Sequence, residues 1–351
     1  MPRCQLQALG MSLALLTCAL AYGQVKATST ASTSSPTTAV SPAPQACAPG
    51  GGDGFITSMV TCPDQLLDAY PVTMARVGSN LYLAYALYYA ASPQIAVSPD
   101  NGKSINRPTF GKIPQWELLT IAEYQGNLYA GYIYNDRQVR LERATLDSAG
   151  NVTGLVPLGS SAQTTDAYPT LSSSKSGLLM AWQSRQDPPR LGFSKFDLPA
   201  NPNADILAPS AAVYQQFVVK TQPSIAVIES KRMIYVAFEA DYWKTQIVAF
   251  SEDDGKVRGQ YTSQQGFLVP SIAVFGDKLF LAYCWQQNIA VNFTEVMLNP
   301  DGTPKGFAPP ISPTRASQQY GRADLISTPA GLLMAWRWTP HLHELRIGPV
   351  Q

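Results

Sequence analysis

Asp68-Ala69-Tyr70-Pro71 and Asp166-Ala167-Tyr168-Pro169 are two copies of one tetrapeptide. Their carboxylates are candidates for a general acid and a general base, the pair that glycoside hydrolysis requires. The plainer alternative is local: the Asp caps a turn and the Pro starts a strand. Other polar and aromatic residues recur around short apolar runs. Glu117, Gln222 and Tyr320-Gly321-Arg322 precede such runs, whereas Tyr88, Tyr89, Asp136, Arg137, Arg185, Asp187, Glu239, Tyr242, Trp243, Trp285, Arg337 and Trp338 follow them. Such a mixture suits sugars: aromatic plates stack on apolar ring faces, and forked groups bond hydroxyls or a carboxylate. The chain has 2 His, too few for a His-rich metal site. His341 and His343 alternate along one strand and read as a surface pair. Neither metal nor cofactor is expected. Cys284 sits in the apolar run 279–285 with no His nearby, and reads as a buried, inert thiol.

The apolar runs that must position these residues are repeats of one another. Six segments read Leu81-Tyr-Leu-Ala-Tyr85, Leu128-Tyr-Ala-Gly-Tyr132, Leu178-Leu-Met-Ala-Trp182, Ile234-Tyr-Val-Ala-Phe238, Leu279-Phe-Leu-Ala-Tyr283 and Leu332-Leu-Met-Ala-Trp336. The small residue in each recurs at intervals of 47, 50, 56, 45 and 53. A period near 50 with several short strands per unit predicts an all-β, six-bladed β-propeller. Strands apolar on both faces fit blades sandwiched between neighbours. The small residue lets the next blade approach, and the aromatic after it fills the widening wedge, so those aromatics need no catalytic role. Third strands are expected near 94–98, 138–146, 190–197, 245–251, 289–298 and 342–347. The last unit has no room for a fourth strand, so 55–62 is expected to supply it and close the ring.

Charge is scarce. Charged residues are 14% of the 351, against roughly 25% in an average soluble domain. Lys plus Arg is 25 and Asp plus Glu 24, which excludes a strong electrostatic nucleic-acid binder. Arg3 and the apolar stretch 9–21, followed by small residues, read as a signal peptide over 1–23. That stretch is shorter than the roughly 20 residues that span a bilayer, and no transmembrane segment is expected. Lipidation at Cys18 is the lesser reading, because Thr17 stands where that signal wants Gly, Ala or Ser. Residues 24–46, rich in Ser, Thr, Ala and Pro, read as a disordered linker. Export predicts a secreted, periplasmic or extracellular location, and there a Cys47–Cys62 disulfide would pin the N-terminal strand of the 47–351 domain. A monomer is expected. Asn151-Val-Thr153 and Asn292-Phe-Thr294 match the glycosylation sequon.

Ser98-Pro99-Asp100-Asn101-Gly102-Lys103-Ser104 resembles the Asp-box (BNR repeat) of sialidases and related propellers, and Ser251-Glu252-Asp253-Asp254-Gly255-Lys256 resembles it in part. In the box, Ser98, Asp100, Gly102 and their counterparts Ser251, Asp253, Gly255 shape a tight turn away from the central pocket, so it marks the fold and not the chemistry. The resemblance implies a Tyr–Glu nucleophile pair, with Tyr320 and Glu239 standing where that pair would be and Arg322 as one member of a carboxylate clamp. It stops there: no Arg lies at the first or fifth blade entry, and the family's Phe/Tyr-Arg-Ile-Pro motif is absent, so sialidase activity proper is not expected.

These readings converge on a sialidase-like propeller that binds a glycan or glycoconjugate on the face where first strands enter and second strands leave. Tyr70, Tyr168, Arg322, Trp243, Trp285, Arg337 and Trp338 would contact it, and Tyr320, Glu239, Asp68 and Asp166 would act on it if the protein is a glycoside hydrolase. A non-catalytic lectin-like or protein-interaction module is the alternative.

Overall fold

The computed structural model describes residues 48–53, 56–62, 72–86, 93–105, 117–133, 138–164, 169–196, 198, 204–205, 212–285, 291–311, 323–338 and 344–350. All of them belong to the unit Gln45–Gln351; the segments read as signal peptide and linker lie outside them. Among the described residues every regular element is a strand, apart from 3-10 turns at Glu229–Lys231 and Asp241–Trp243. No helix there is long and apolar enough to cross a membrane.

The strands form antiparallel meanders in chain order. An N-terminal hairpin, β1 (Ala48–Asp53) and β2 (Ile56–Cys62), comes first. Then β3 (Thr73–Val77), β4 (Asn80–Ala86) and β5 (Pro93–Ser98) make one sheet. The next holds β6 (Glu117–Tyr124), β7 (Asn127–Ile133), β8 (Gln138–Leu146) and β9 (Val152–Thr164). It is followed by β10 (Thr170–Ser174), β11 (Gly177–Gln183) and β12 (Arg190–Phe196). The short β13 (Ala204–Asp205) leaves that sheet to cover the edge of β9, and β14 (Ala212–Val218) completes it. A seven-stranded sheet carries β15 (Ser224–Ile228), β16 (Met233–Glu239), β17 (Lys244–Ser251), β18 (Val257–Phe275), β19 (Lys278–Trp285), β20 (Val291–Leu298) and β21 (Pro304–Phe307). Here β18 is 19 residues long and serves as the last strand of one meander and the first of the next. The final sheet is β22 (Asp324–Thr328), β23 (Gly331–Trp338) and β24 (Glu344–Val350), extended by β2 and then β1. The segment expected at 55–62 does pair with the last strand, through Val60 with Ile347 and Cys62 with Leu345. The outer strand β1 has no counterpart in the sequence reading, because Pro49 and three consecutive glycines carry no strand signal.

The apolar core is not one mass but a series of seams between neighbouring meanders. Tyr82, Ala84 and Val97 pack on Ile121, Leu128 and Ala130. Tyr235 and Ala237 pack on Leu279 and Leu281, and Leu83 and Tyr85 meet Leu333, Ala335 and Ile347, so the last meander lies against the first. The aromatics that follow the small residues, Tyr85, Tyr132, Trp182, Phe238, Tyr283 and Trp336, are all buried. At Gly131 a Cβ would lie 2.8 Å from Leu171 of the next meander, which is why that repeat has Gly where the others have Ala.

Each of those small residues stands opposite a small polar residue on the first strand: Ala84 pairs with Thr73, Gly131 with Thr120, Ala181 with Thr170, Ala237 with Ser224, Ala282 with Ser271 and Ala335 with Asp324. All six polar residues are buried, and they bond from meander to meander. Leu171 N–H donates to Thr120 Oγ1 (3.1 Å), Ile272 N–H to Ser224 Oγ (3.0 Å) and Leu325 N–H to Ser271 Oγ (3.2 Å). The hydroxyl of Thr73 donates to Leu119 O (3.4 Å), and that of Thr170 to Pro223 O. Asp324 joins three meanders, accepting Met74 N–H (2.8 Å) and the Ser271 hydroxyl (2.9 Å). Belt residues and the rest of the first strands line a cavity of about 300 Å³, at 73–76, 120–123, 170–173, 224–227, 272–274 and 324–327, with Glu229.

The turn resembling an Asp-box is built as its residue types imply. Asp100 accepts the Ser98 hydroxyl (2.9 Å), Ser104 N–H (2.7 Å) and the Ser104 hydroxyl (2.8 Å), while Ser98 Oγ accepts Gly102 N–H (2.7 Å). Burial raises the affinity of the Asp100 carboxyl for its proton, but these hydrogen bonds outweigh it and hold the pKa below its usual value. In the partial copy Asp253 pairs with Arg232, Asp254 accepts Lys256 N–H (3.1 Å), and Gly255 N–H closes the turn on the Ser251 carbonyl (2.9 Å). Equivalent turns latch the seams: the Tyr82 hydroxyl donates to Gly150 O (2.8 Å) and that of Tyr235 to Gly302 O (2.7 Å).

Replacing Asp324 by Ala leaves Met74 N–H and the Ser271 hydroxyl without their acceptor. Each orphaned buried group costs about 1–3 kcal/mol, so urea unfolding should shift to clearly lower denaturant, whereas the isosteric Asp324→Asn should lose less.

Candidate functional site

The best-described part of the face where second strands end is the tip of β16. The strand residues Met233–Glu239 are buried throughout, because both faces meet neighbouring meanders. Glu239 closes the strand opposite Thr245 and is 4% exposed. Its main-chain oxygen accepts Lys220 N–H (2.8 Å), and the main chain of Val269 lies near its carboxyl. Burial drives the Glu239 pKa up; the Val269 main chain and the Lys220 charge recover only part of that shift. Thr245 is held in turn, its N–H on Ser263 Oγ (3.0 Å) and its hydroxyl on Phe267 O (2.8 Å), and the Phe267 ring stacks on Tyr283 with centroids 3.8 Å apart.

The chain after Glu239 turns sharply. Ala240 N–H donates to Lys244 O (2.7 Å) across the 3-10 turn, and Trp243 sits in the left-handed region at φ +62. That backbone leaves the indole 55% exposed, a conspicuous position for the largest apolar side chain. Beside it Lys220 Nζ and Asp241 Oδ1 lie 3.2 Å apart, both side chains about half exposed. The segment carrying Lys220 is anchored by Gln183 Nε2 on Val219 O (2.7 Å) and Gln222 Nε2 on Pro169 O (3.1 Å).

Of the residues singled out in the sequence, Glu239 and Trp243 thus meet on one turn. Trp285 ends β19, and Arg337 and Trp338 end β23, at the same ends of their second strands as Glu239. Asp68, Tyr70, Asp166, Tyr168, Tyr320, Arg322, Cys47, His341 and His343 lie outside the described residues. Lys220, Asp241 and Val269 were not legible as site residues; an Asp two positions after the Glu was the one available signal. Among the described residues no three His, Cys, Asp or Glu are grouped to hold a metal. Cys284 is buried, and burial pushes its thiol up to about 12, far from a nucleophile's range. Asn292 of the second sequon is fully buried in β20, whereas Asn151 lies in a partly exposed turn.

The arrangement offers an exposed aromatic plate, an ion pair able to give and accept hydrogen bonds, and a buried carboxyl that keeps its proton to a higher pH than usual.

No family model matches the chain, and no curated protein does. Solved structures do. The fungal Aleuria aurantia lectin, described as a six-bladed β-propeller with a novel fucose recognition mode, superposes with a TM-score of 0.54 at 10% identity, over 82% of this chain and 97% of its own. SapL1 lectin in complex with α-methyl fucoside gives 0.52 at 13% identity, over 78% and 89%. A Dyadobacter fermentans protein of unknown function gives 0.52 at 12%, over 84% and 99%. These likenesses show that the chain has a β-propeller fold.

The raised Glu239 carboxyl makes a signed prediction. The folded state holds its proton more tightly than the unfolded chain, so this group's contribution to stability falls as pH rises from about 4.5 through its folded value, and then levels. Urea midpoints of wild type and Glu239→Gln across pH 4 to 8 should therefore diverge, the Gln variant lacking this part of the slope.

Proposed function

We propose that this chain is a secreted, monomeric, sialidase-like propeller of six blades, its ring closed by β2, that binds carbohydrate on the face carrying Glu239. The observation that carries the reading is the exposed Trp243 plate, beside the Lys220–Asp241 pair and above a buried acid. A pyranose presents C–H groups on one face and hydroxyls at its rim, and this array matches both. One similar lectin binds α-methyl fucoside and another recognises fucose, so fucosides are the first ligands to try. Tyr70, Tyr168, Trp285, Arg322, Arg337 and Trp338 are the further contacts in this reading. The buried Glu239, its pKa raised by burial, favours a second reading, in which Glu239 acts with Tyr320, Asp68 and Asp166 in glycoside hydrolysis.

Export through a signal peptide over 1–23, a linker over 24–46 and a Cys47–Cys62 disulfide belong to the same proposal. The register Ala48 with Thr61 supports the disulfide, since one further step along it reaches positions 47 and 62. The register of β2 on β24 supports closure.

A glycan array probed with wild type and Trp243→Ala tests the binding. Loss of the indole should weaken the best ligand about tenfold or more, equivalent to about 1.4 kcal/mol; unchanged binding would sink the Trp243 assignment. A panel of aryl glycosides separates the two readings: turnover abolished in Glu239→Gln supports the hydrolase, and array binding without turnover the lectin. Removing residues 1–62 bares the β24 edge, and the resulting chain should unfold at lower temperature and aggregate.

A further inference from the structure

The cavity lined by the first strands has a mouth of mixed chemistry. Three positions after each belt residue the chain reaches Arg76, Glu123, Ser173, Val227, Val274 and Ser327. Register makes these six equivalent, since each stands opposite the residue that opens its repeat: Leu81, Leu128, Leu178, Ile234, Leu279 and Leu332. All six line the cavity. They are partly or fully exposed where the belt residues are buried, so the cavity meets solvent at this level. Valine serves here in two meanders and serine in two, so the fold itself asks for no charge.

Arg76 is nevertheless charged, and it is unmatched. The charged side chains lining the cavity are Arg76, Glu123, Glu229 and Asp324. Glu123 Oε1 accepts Gly126 N–H (2.7 Å), and Glu229 Oε1 accepts Lys175 N–H (3.0 Å). Both oxygens of Asp324 are taken, by Met74 N–H and the Ser271 hydroxyl. Arg76 has no hydrogen bond or ion pair among the described residues, and its Nε is enclosed without an acceptor. The turns that follow the first strands, from 77–80 round to 328–331, are all described, and none brings an acid to it. An enclosed donor with no acceptor destabilises a fold, and at a position where valine fits, the fold has no need to keep one.

We propose that this mouth binds a small α-amino acid as its zwitterion: the Arg76 fork takes the carboxylate, and the ammonium faces the second oxygens of Glu123 and Glu229, which make no bond among the described residues. The balance of charge selects the ligand. One guanidinium among three carboxylates repels sulfate, phosphate or a dicarboxylate, whereas a zwitterion adds no net charge and offers a partner to each sign. Ser173 and Ser327 can bond a polar side chain, and Val227 and Val274 can shelter an apolar one. The volume of about 300 Å³ lies at the small end of ligand pockets, as a ligand of this size requires. The site uses neither Trp243 nor Glu239, so it stands or falls apart from the carbohydrate reading.

Calorimetric titration of the whole chain with a panel of L-amino acids, and with glycerate and ethanolamine beside them, tests the proposal. At least one amino acid should bind saturably. Glycerate, which has a hydroxyl for the ammonium of serine, and ethanolamine, which lacks the carboxylate, should bind about tenfold more weakly than the best of them, or worse. Arg76→Val installs the residue found at two equivalent positions. It should weaken binding about tenfold or more and melt at the wild-type temperature or above, because an unmatched enclosed donor has gone. Arg76→Lys keeps the charge but loses the fork, and should bind weakly too. No saturable binding by any amino acid, an unchanged affinity in both variants, or glycerate or ethanolamine binding as tightly as the best amino acid would each overturn the proposal. A clearly lower melting temperature for Arg76→Val would overturn it as well, by assigning the guanidinium to the fold.

Discussion

The structure depends on hydrogen bonds that run from each first strand to the next. First strands have no neighbour on their inner side, so their main-chain groups would be buried without partners. Thr73, Thr120, Thr170, Ser224, Ser271 and Asp324 occupy the same place in successive meanders, and all but one make bonds to the next through a hydroxyl. A hydroxyl is short enough to fit beside the facing Ala or Gly, and can both give and accept a hydrogen bond. The exception, Asp324, sits in the last meander and accepts from both sides, from Met74 of the first and Ser271 of the preceding one. The meander that must join the ends of the domain thus carries the group with the greatest accepting capacity.

Outward from the belt the constraint changes from polar pairing to shape. Each sheet is sandwiched, so its second strands are buried on both faces and carry little charge. This accounts for a charged fraction of only 14% without any unusual surface chemistry. It also concentrates what charge there is. Glu229, Arg232, Glu252 and Asp253 crowd one end of a seam with Lys175 and Lys195, where they satisfy one another, whereas Glu239 at the opposite strand end is buried.

That contrast gives the face carrying Glu239 its chemical character. A carboxyl satisfied by an ion pair is spent as structure; one that is buried and raised in pKa holds its proton to a higher pH than an exposed carboxyl does. On the turn that follows, Trp243 has a left-handed backbone and a largely exposed side chain.

Much of the architecture was legible in the sequence because burial on two faces leaves a periodic record. Six copies of an apolar run with one small residue announce meanders that pack face to face, and the third strand expected over 138–146 is β8 to the residue. The polar partner of each small residue was equally present in the chain, as Thr73, Thr120, Thr170, Ser224, Ser271 and Asp324, but it carries no meaning until register places it opposite. The hairpin strand β1 and the crossing strand β13 left no trace, since an edge is covered by whatever main chain is at hand and asks nothing of side chains. The site divides in the same way. Residue type alone marked Glu239 and Trp243 as groups able to do chemistry. Their neighbours Lys220 and Asp241 were decided by tertiary structure, because only the fold brings a lysine before β15 beside the turn after β16.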